Sequence, residues 1–199
     1  DILGFSMYNA GTKEFEYREG AVFCNLFLAD EINRTSPKTQ SALLEVMEEG
    51  TATVDGVTRA LPDPFIVIAT ENPYGSSGTQ MLPESQLDRF MVCLSMGYPS
   101  HQDAVAILKG NASKPVSKVQ GIISVDDLVK LRAYVNEMYV RDEIYEYIVS
   151  LVEATRQLDI FSMGASPRGM IAMLRMAKAM AVIDGRDYVA AEDVPQIVA

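Results

Sequence analysis

Two adjacent acids, Asp30 and Glu31, close an apolar run in the stretch LFLADEINR. An unpaired carboxylate inside an apolar strand is costly, so the pair must sit where the strand leaves the core, or it must hold something. Two carboxylates beyond the carboxyl end of a parallel strand can hold Mg²⁺ through water and act on an attacking water. The plain structural alternative is that they cap the strand or start a helix. A second apolar run, FIVIAT at 65–70, is followed by Glu71-Asn72-Pro73. An Asn at the tip of a neighbouring parallel strand points into the same crevice, where its amide can orient a water or touch a phosphate. An Asn-Pro turn is the alternative. Arg89, in LPESQLDRF, can be held by Asp88 or Glu84, or can face a neighbouring subunit and reach a phosphate there. Arg168, in GASPRGM, stands in the first turn of a helix, where a cation is disfavoured and an anion partner would explain it.

Several elements must position these side chains. Residues 22–29, 65–70 and 90–96 are continuous apolar runs joined through helices, the pattern of a parallel sheet covered on both faces. Thr35-Ser-Pro-Lys38 is a helix start with Pro just inside it, and the helix runs to Gly50 with Leu43, Leu44 and Met47 on one face. A short helix is expected over 83–88. Two hairpins are expected: residues 5–18, turning at NAGT, and residues 51–61, turning at Asp55-Gly56. ENPYGSSGT reads as a loop. After Pro99 everything is helical in period, with Ser100 and Ser124 as N-caps, Ser166 before Pro167, and a last helix from AEDVPQIV. The boundary between an α/β part, 1–99, and an all-helical part, 100–199, is therefore expected near Pro99. The Met-rich face (Met170, Met173, Met176, Met180) and the tyrosines at 134, 139, 145 and 147 are expected to pack the helical part.

Composition narrows the function. A hydrophobic fraction of 48% over 199 residues suits one large or two small globular domains. No apolar run is long enough for a membrane span. A net charge of −10 argues against a general nucleic-acid binder. Cys24 and Cys93 lie in apolar runs and read as buried free thiols of a reducing, cytoplasmic compartment. Two cysteines and one histidine cannot make a structural zinc site unaided. The opening DILGFSMYN has neither start Met nor basic leader, so the sequence reads as a piece of something longer.

The four pieces, in this order and over nearly the whole chain, resemble the AAA+ ATPases, and within them the MoxR family. LFLADEINRTSPKTQSALLEVMEE resembles the Walker B strand and the helix after it. VIATENP resembles sensor 1, LPESQLDRF the arginine-finger segment, and GASPRG sensor 2. The hairpin at 5–18 resembles the family's insert in its second helix, and 51–61 the hairpin before sensor 1. The resemblance implies a partial P-loop NTPase core, α/β with helices on both faces of a parallel sheet and two hairpin inserts, followed by an all-α lid. It implies ATP and Mg²⁺ as cofactors. Asp30 would bind Mg²⁺, largely through water, and Glu31 would polarise the attacking water. Asn72 would position that water or the γ-phosphate. Arg89 would reach into the next subunit's site. Arg168 would touch the γ-phosphate and couple it to the lid, either in its own subunit or across the interface.

The sequence departs from the family in one respect. It contains no G-x-x-x-x-G-K-[ST], since YGSSGTQ lacks both the Lys and the spacing. The phosphate-cradling loop and its strand are expected upstream of Asp1. Their removal should open a gap in the sheet beside residues 90–96 and leave the fragment alone without tight ATP binding. The resemblance implies a ring, expected as a hexamer, that hydrolyses ATP to remodel or mature a client protein. The client could carry a von Willebrand A domain, and the work could include metal insertion. Two alternatives belong to other classes. One is a non-catalytic interaction module that has lost its phosphate loop. The other is a DNA-motor relative, disfavoured because only Arg59 lies near the second hairpin's tip and the chain is acidic.

Overall fold

The computed structural model describes residues 2–72, 81–110, 120–161 and 163–197. The chain opens with an antiparallel hairpin, β1 (Gly4–Asn9) and β2 (Glu14–Glu19), pairing Tyr8 with Phe15 and Ser6 with Tyr17. Asn9 Oδ1 accepts the Gly11 amide at 2.9 Å and pins the turn. Cross-strand partners share a face. Phe5 and Met7 therefore lie on one side of the hairpin, and Phe15 and Tyr17 on the other. A second hairpin joins β4 (Thr51–Val54) to β5 (Val57–Ala60). Its turn residues Asp55 (φ 53°) and Gly56 (φ 75°) both take positive φ, as the Asp-Gly signal requires. The hairpins touch each other, with the Arg59 guanidinium 3.6 Å from the centre of the Tyr17 ring.

The expected parallel sheet is present with two strands, β3 (Leu26–Ala29) and β6 (Ile66–Ala69), in register Leu26–Ile66 through Ala29–Ala69. Phe27, Ala29, Val67 and Ala69 pack against the core of Val22, Ile32, Leu43, Val46, Ala52, Leu61 and Leu82. Helix α1 (Pro37–Glu49) contributes Leu43 and Val46 to this core. It is capped by Ser36, whose Oγ accepts the Thr39 amide, and it ends at Gly50 in the left-handed conformation.

The opposite face of the sheet is bare: Leu26 is 60% exposed and Leu28 63%. Residues 90–96, expected as a third strand, pair with nothing among the described residues, and Leu94 and Met96 are 87% and 97% exposed. A strand needs a ladder partner, and no described strand lies beside this one. Among the described residues no helix covers this face of the two-stranded sheet, and the α/β class holds. Short α2 (Glu84–Leu87) falls where expected. Residues 73–79 of the ENPYGSSGT loop lie outside the described residues.

From α3 (His101–Leu108) onward the elements among the described residues are helices: α4 (Val125–Glu137), α5 (Asp142–Gln157), α6 (Pro167–Ile183) and α7 (Asp193–Gln196). Ser100 and Ser124 cap α3 and α4, each accepting the amide of an Asp three residues on and donating its hydroxyl to that carboxylate. Ile144 and Ile148 of α5, Ala177 and Ala181 of α6, and Val194 of α7 form a second core, with Met170 and Met173 packed on it. The four tyrosines do not fill this core. Tyr134, Tyr139, Tyr145 and Tyr147 are exposed, and on α5 the inward positions go to Ile144, Ile148 and Val152 rather than to Tyr145 and Tyr147. The thiols also differ from expectation: both are free, Cys24 half-buried and Cys93 exposed on the unpaired 90–96 segment. No helix among the described residues is long and apolar enough to cross a membrane.

Candidate functional site

Parallel pairing of β3 with β6 brings Asp30-Glu31 and Thr70-Glu71-Asn72 to the same sheet end. The two tips are stitched together. The Thr70 amide donates to Ala29 O at 3.0 Å, and the Ile32 amide donates to Thr70 O at 2.9 Å. Thr70 Oγ1 donates to Asp30 Oδ1 at 2.6 Å and accepts the Glu31 amide at 2.8 Å. Glu31 itself adopts φ 48°, ψ 51°, a left-handed conformation uncommon for a residue with a side chain. That bend turns the chain sharply from strand into the 3₁₀ turn Ile32–Arg34 and leaves the carboxylate at the sheet end.

Both Glu31 oxygens are engaged. Oε2 accepts Arg34 Nη1 at 2.7 Å, and Oε1 accepts Asn72 Nδ2 at 3.2 Å. The hydrogen bond from Arg34, then that from Asn72, holds the carboxyl below its ordinary range. Asn72 is positioned in turn by Asn33, which is only 4% exposed. Asn33 Nδ2 donates to Asn72 O at 3.1 Å, and Asn33 Oδ1 accepts the Asn72 amide at 3.4 Å. Asn33, Thr70 and Arg34 went unassigned in the sequence. Arg34 lies three residues from its partner Glu31, a local signal, whereas Asn33 and Thr70 pair across to the other strand tip, which nearness in sequence does not show.

Asp30 has one oxygen on Thr70 and, among the described residues, no hydrogen-bond partner on the other. A single carboxylate at a strand tip suits a magnesium ion, which keeps most of its waters and takes one or two carboxylates beside substrate phosphates. No cluster of three or more His, Cys, Asp or Glu forms among the described residues, so a metal here would depend on water and phosphate ligands.

The two arginines are not at this end. Arg89 Nη1 binds Glu48 Oε2 at 2.6 Å, and Arg168 Nη2 binds Glu48 Oε1. Glu48 is the penultimate residue of α1, about 17 Å along the helix from its start beside the acids. Arg168 therefore has the anion partner that its place at a helix N-terminus called for, though the partner is a side chain. Ser166 caps α6 through the Gly169 amide and also donates to Asp88 Oδ1 at 2.5 Å. The segment before it is anchored by α5: Arg156 donates twice to Ala165 O, at 3.0 and 2.9 Å, and Thr155 Oγ1 accepts the Ala165 amide. Gly164 allows this packing, since a Cβ there would lie 2.4 Å from Arg156 Cγ. Glu48, Arg89 and Arg168 line a cleft of about 250 Å³ together with Asp88 and Arg175.

Acids at the carboxyl end of a parallel strand, an Asn on the adjoining tip and two arginines beside a helical unit are thus the arrangement of an α/β unit followed by a helical one. Residues 1–92 match the family model for AAA ATPases associated with various cellular activities, and residues 153–199 match the AAA lid domain. The chain is 50% identical to the uncharacterised protein YeaC of Bacillus subtilis, covering 98% of this chain and 61% of that protein. It is 38% identical to the chaperone MoxR1 of Mycobacterium tuberculosis, covering 100% of this chain and 55% of MoxR1. A crystal structure from Cytophaga hutchinsonii, provisionally described as an ATPase, superposes with a TM-score of 0.85 at 38% identity, over 99% of this chain and 63% of that one. The chain belongs to the MoxR family of AAA+ ATPases. It spans between 55% and 61% of the length of these two curated relatives.

Proposed function

We propose that this chain supplies the hydrolysis and sensing half of an ATP site, in a ring-forming ATPase that remodels or matures a client protein. One observation carries the reading: Asn72, at one strand tip, donates to Glu31 at the adjoining tip, 3.2 Å away. In this reading Glu31 polarises the attacking water, and Asn72 orients that water or the γ-phosphate. Asp30 holds Mg²⁺ through water, with Thr70 fixing the carboxylate. When bound, the metal would neutralise charge on the β- and γ-phosphates. These 199 residues contain no G-x-x-x-x-G-K-[ST] loop, so this reading requires phosphate-binding backbone donors and a Lys beyond those named here.

Arg89 and Arg168 meet on Glu48, away from their own subunit's carboxylates, which favours both acting on a neighbour's nucleotide. Division of the chain near Pro99 into core and lid gives the two arginines different origins: one leads out of the core, and one opens a lid helix. Hydrolysis would then alter the seam between them. A chaperone-like role is supported by the name of MoxR1, and a cytoplasmic location is part of the proposal. A von Willebrand A client and metal insertion remain further steps of the same proposal.

The test is Glu31→Gln in the full-length ATPase. Turnover should disappear while nucleotide binding, followed with a fluorescent ATP analogue, is retained. Retained turnover would refute the role of Glu31.

A further inference from the structure

We propose that Glu48 is a positioning residue for hydrolysis, its two carboxylate oxygens holding Arg89 and Arg168 as a pair aimed at one phosphate group. This rests on the reading of the two arginines as phosphate contacts.

The argument starts from charge. Two guanidiniums brought to one place repel each other, and a carboxylate between them is the simplest way to keep them there. Glu48 Oε2 takes Arg89 and Oε1 takes Arg168, so one acid fixes both in a single geometry. Arg175, two turns along α6 from Arg168, lines the same cleft, and so does Asp88. Three arginines and two acids leave the cleft with a net positive charge in a chain whose net charge is −10. That suits an incoming phosphate, which can compete with Glu48 for guanidinium donors without having to build the arrangement.

The pair also has a defined frame. Arg89 follows α2 in the α/β part, and Arg168 opens α6. The bond from Ser166 to Asp88 ties the same two segments a second time. Glu48 is carried by α1, whose other end begins six residues after Glu31. One rigid helix thus links the carboxylates of one site to the arginine pair. Glu48 was not legible in sequence, because MEEG offers adjacent acids at a helix end and nothing local tells which one pairs, or with what.

The experiment uses the full-length ATPase with Glu48→Gln, Arg89→Ala and the double variant, in steady-state ATP turnover, nucleotide-analogue binding and thermal melting. Glu48→Gln keeps the shape and removes the charge. Its kcat should fall roughly tenfold or more, since misplaced contacts to a transferring phosphoryl group cost on that scale. KM and analogue affinity should stay within about twofold, because the pair acts in the transition state. Melting should change little, as exposed ion pairs contribute little to stability. The Glu48→Gln loss should vanish in the Arg89→Ala background. Wild-type kcat in Glu48→Gln beside a dead Arg89→Ala would overturn the role of Glu48 and leave the site reading intact. So would losses that multiply in the double variant. Undiminished turnover in Arg89→Ala would refute the site reading, and the role of Glu48 with it.

Discussion

Thr70 gives its hydroxyl proton to Asp30 at 2.6 Å and, through the same oxygen, takes the amide proton of Glu31 at 2.8 Å. One side chain on β6 thereby orients both acids at the end of β3. If Asp30 holds Mg²⁺ as proposed, Thr70 is an outer partner of the kind that tunes such a carboxylate without touching the metal. Thr70→Val keeps the branched shape and removes both bonds. In the full-length ATPase it should raise the Mg²⁺ concentration needed for half-maximal turnover by about tenfold, with the melting temperature falling only a few degrees. A magnesium titration of turnover checks this. An unchanged midpoint would mean that Asp30 needs no such support.

The pH response follows from the partners of Glu31. Arg34 first, and Asn72 second, hold its carboxyl below the ordinary value of 4.5. A depressed value keeps the carboxylate ionised to lower pH, so its contribution to turnover is lost only as pH falls through that lowered value. Arg34→Met removes the larger cause. The acid limb of the kcat/KM profile should then move to higher pH, toward the ordinary carboxylate range, with the neutral plateau still reached. A limb that stays in place would mean that another group controls it.

That the carboxylates and Asn72 meet at one sheet end, and that Arg168 has an anionic partner, was legible because each breaks a local expectation: acids closing an apolar run, an Asn after a buried strand, a cation in a first helical turn. The hairpins and caps were legible for the same reason, since Asp55-Gly56 and Ser36-Pro37 are short-range chemistry. What was missed depends on distance in sequence. Residues 90–96 have the composition of a buried strand, yet composition cannot supply the ladder partner, and the segment stands exposed. Glu48 with Arg168, and Asn33 with Asn72, are separated by 120 and 39 positions. Tyr145 and Tyr147 looked like core because of their residue type, but the helical phase of α5 gave the inward positions to Ile144, Ile148 and Val152.

The lid has its own electrostatic pin. Asp193 is 0% exposed, and its carboxylate takes two hydrogen bonds from Arg186, at 2.5 and 2.8 Å, and one from the Ala190 amide at 2.8 Å. The Arg186 hydrogen bonds hold its carboxyl below the ordinary value. The stabilisation is present above the unfolded carboxylate's range and is lost as pH falls through the folded value. Asp193→Asn leaves Arg186 without its main partner and should lower the melting temperature at neutral pH by about 5 °C. The gap between variant and wild type should narrow in acid. Circular dichroism melts at neutral and acidic pH measure both. A gap that widens in acid would contradict this account of the ion pair.

Mixing inactive subunits separates a shared site from a self-contained one. If Arg89 of one subunit serves the carboxylates of the next, Glu31→Gln and Arg89→Ala subunits fail on opposite sides of the same interface. In rings formed at random from equal amounts, about a quarter of interfaces would pair an intact Glu31 with an intact Arg89, and turnover should reappear on that scale. The more telling mixture is Arg89→Ala with Arg168→Ala. Glu48 holds both arginines, so each interface should need both from the same subunit. Every subunit in this mixture lacks one of them, and turnover should stay at the level of the separate variants. Recovery to about a quarter would instead mean that Arg168 works on its own subunit's nucleotide, while Arg89 reaches across. In that case the common hold of Glu48 would have to be released before hydrolysis.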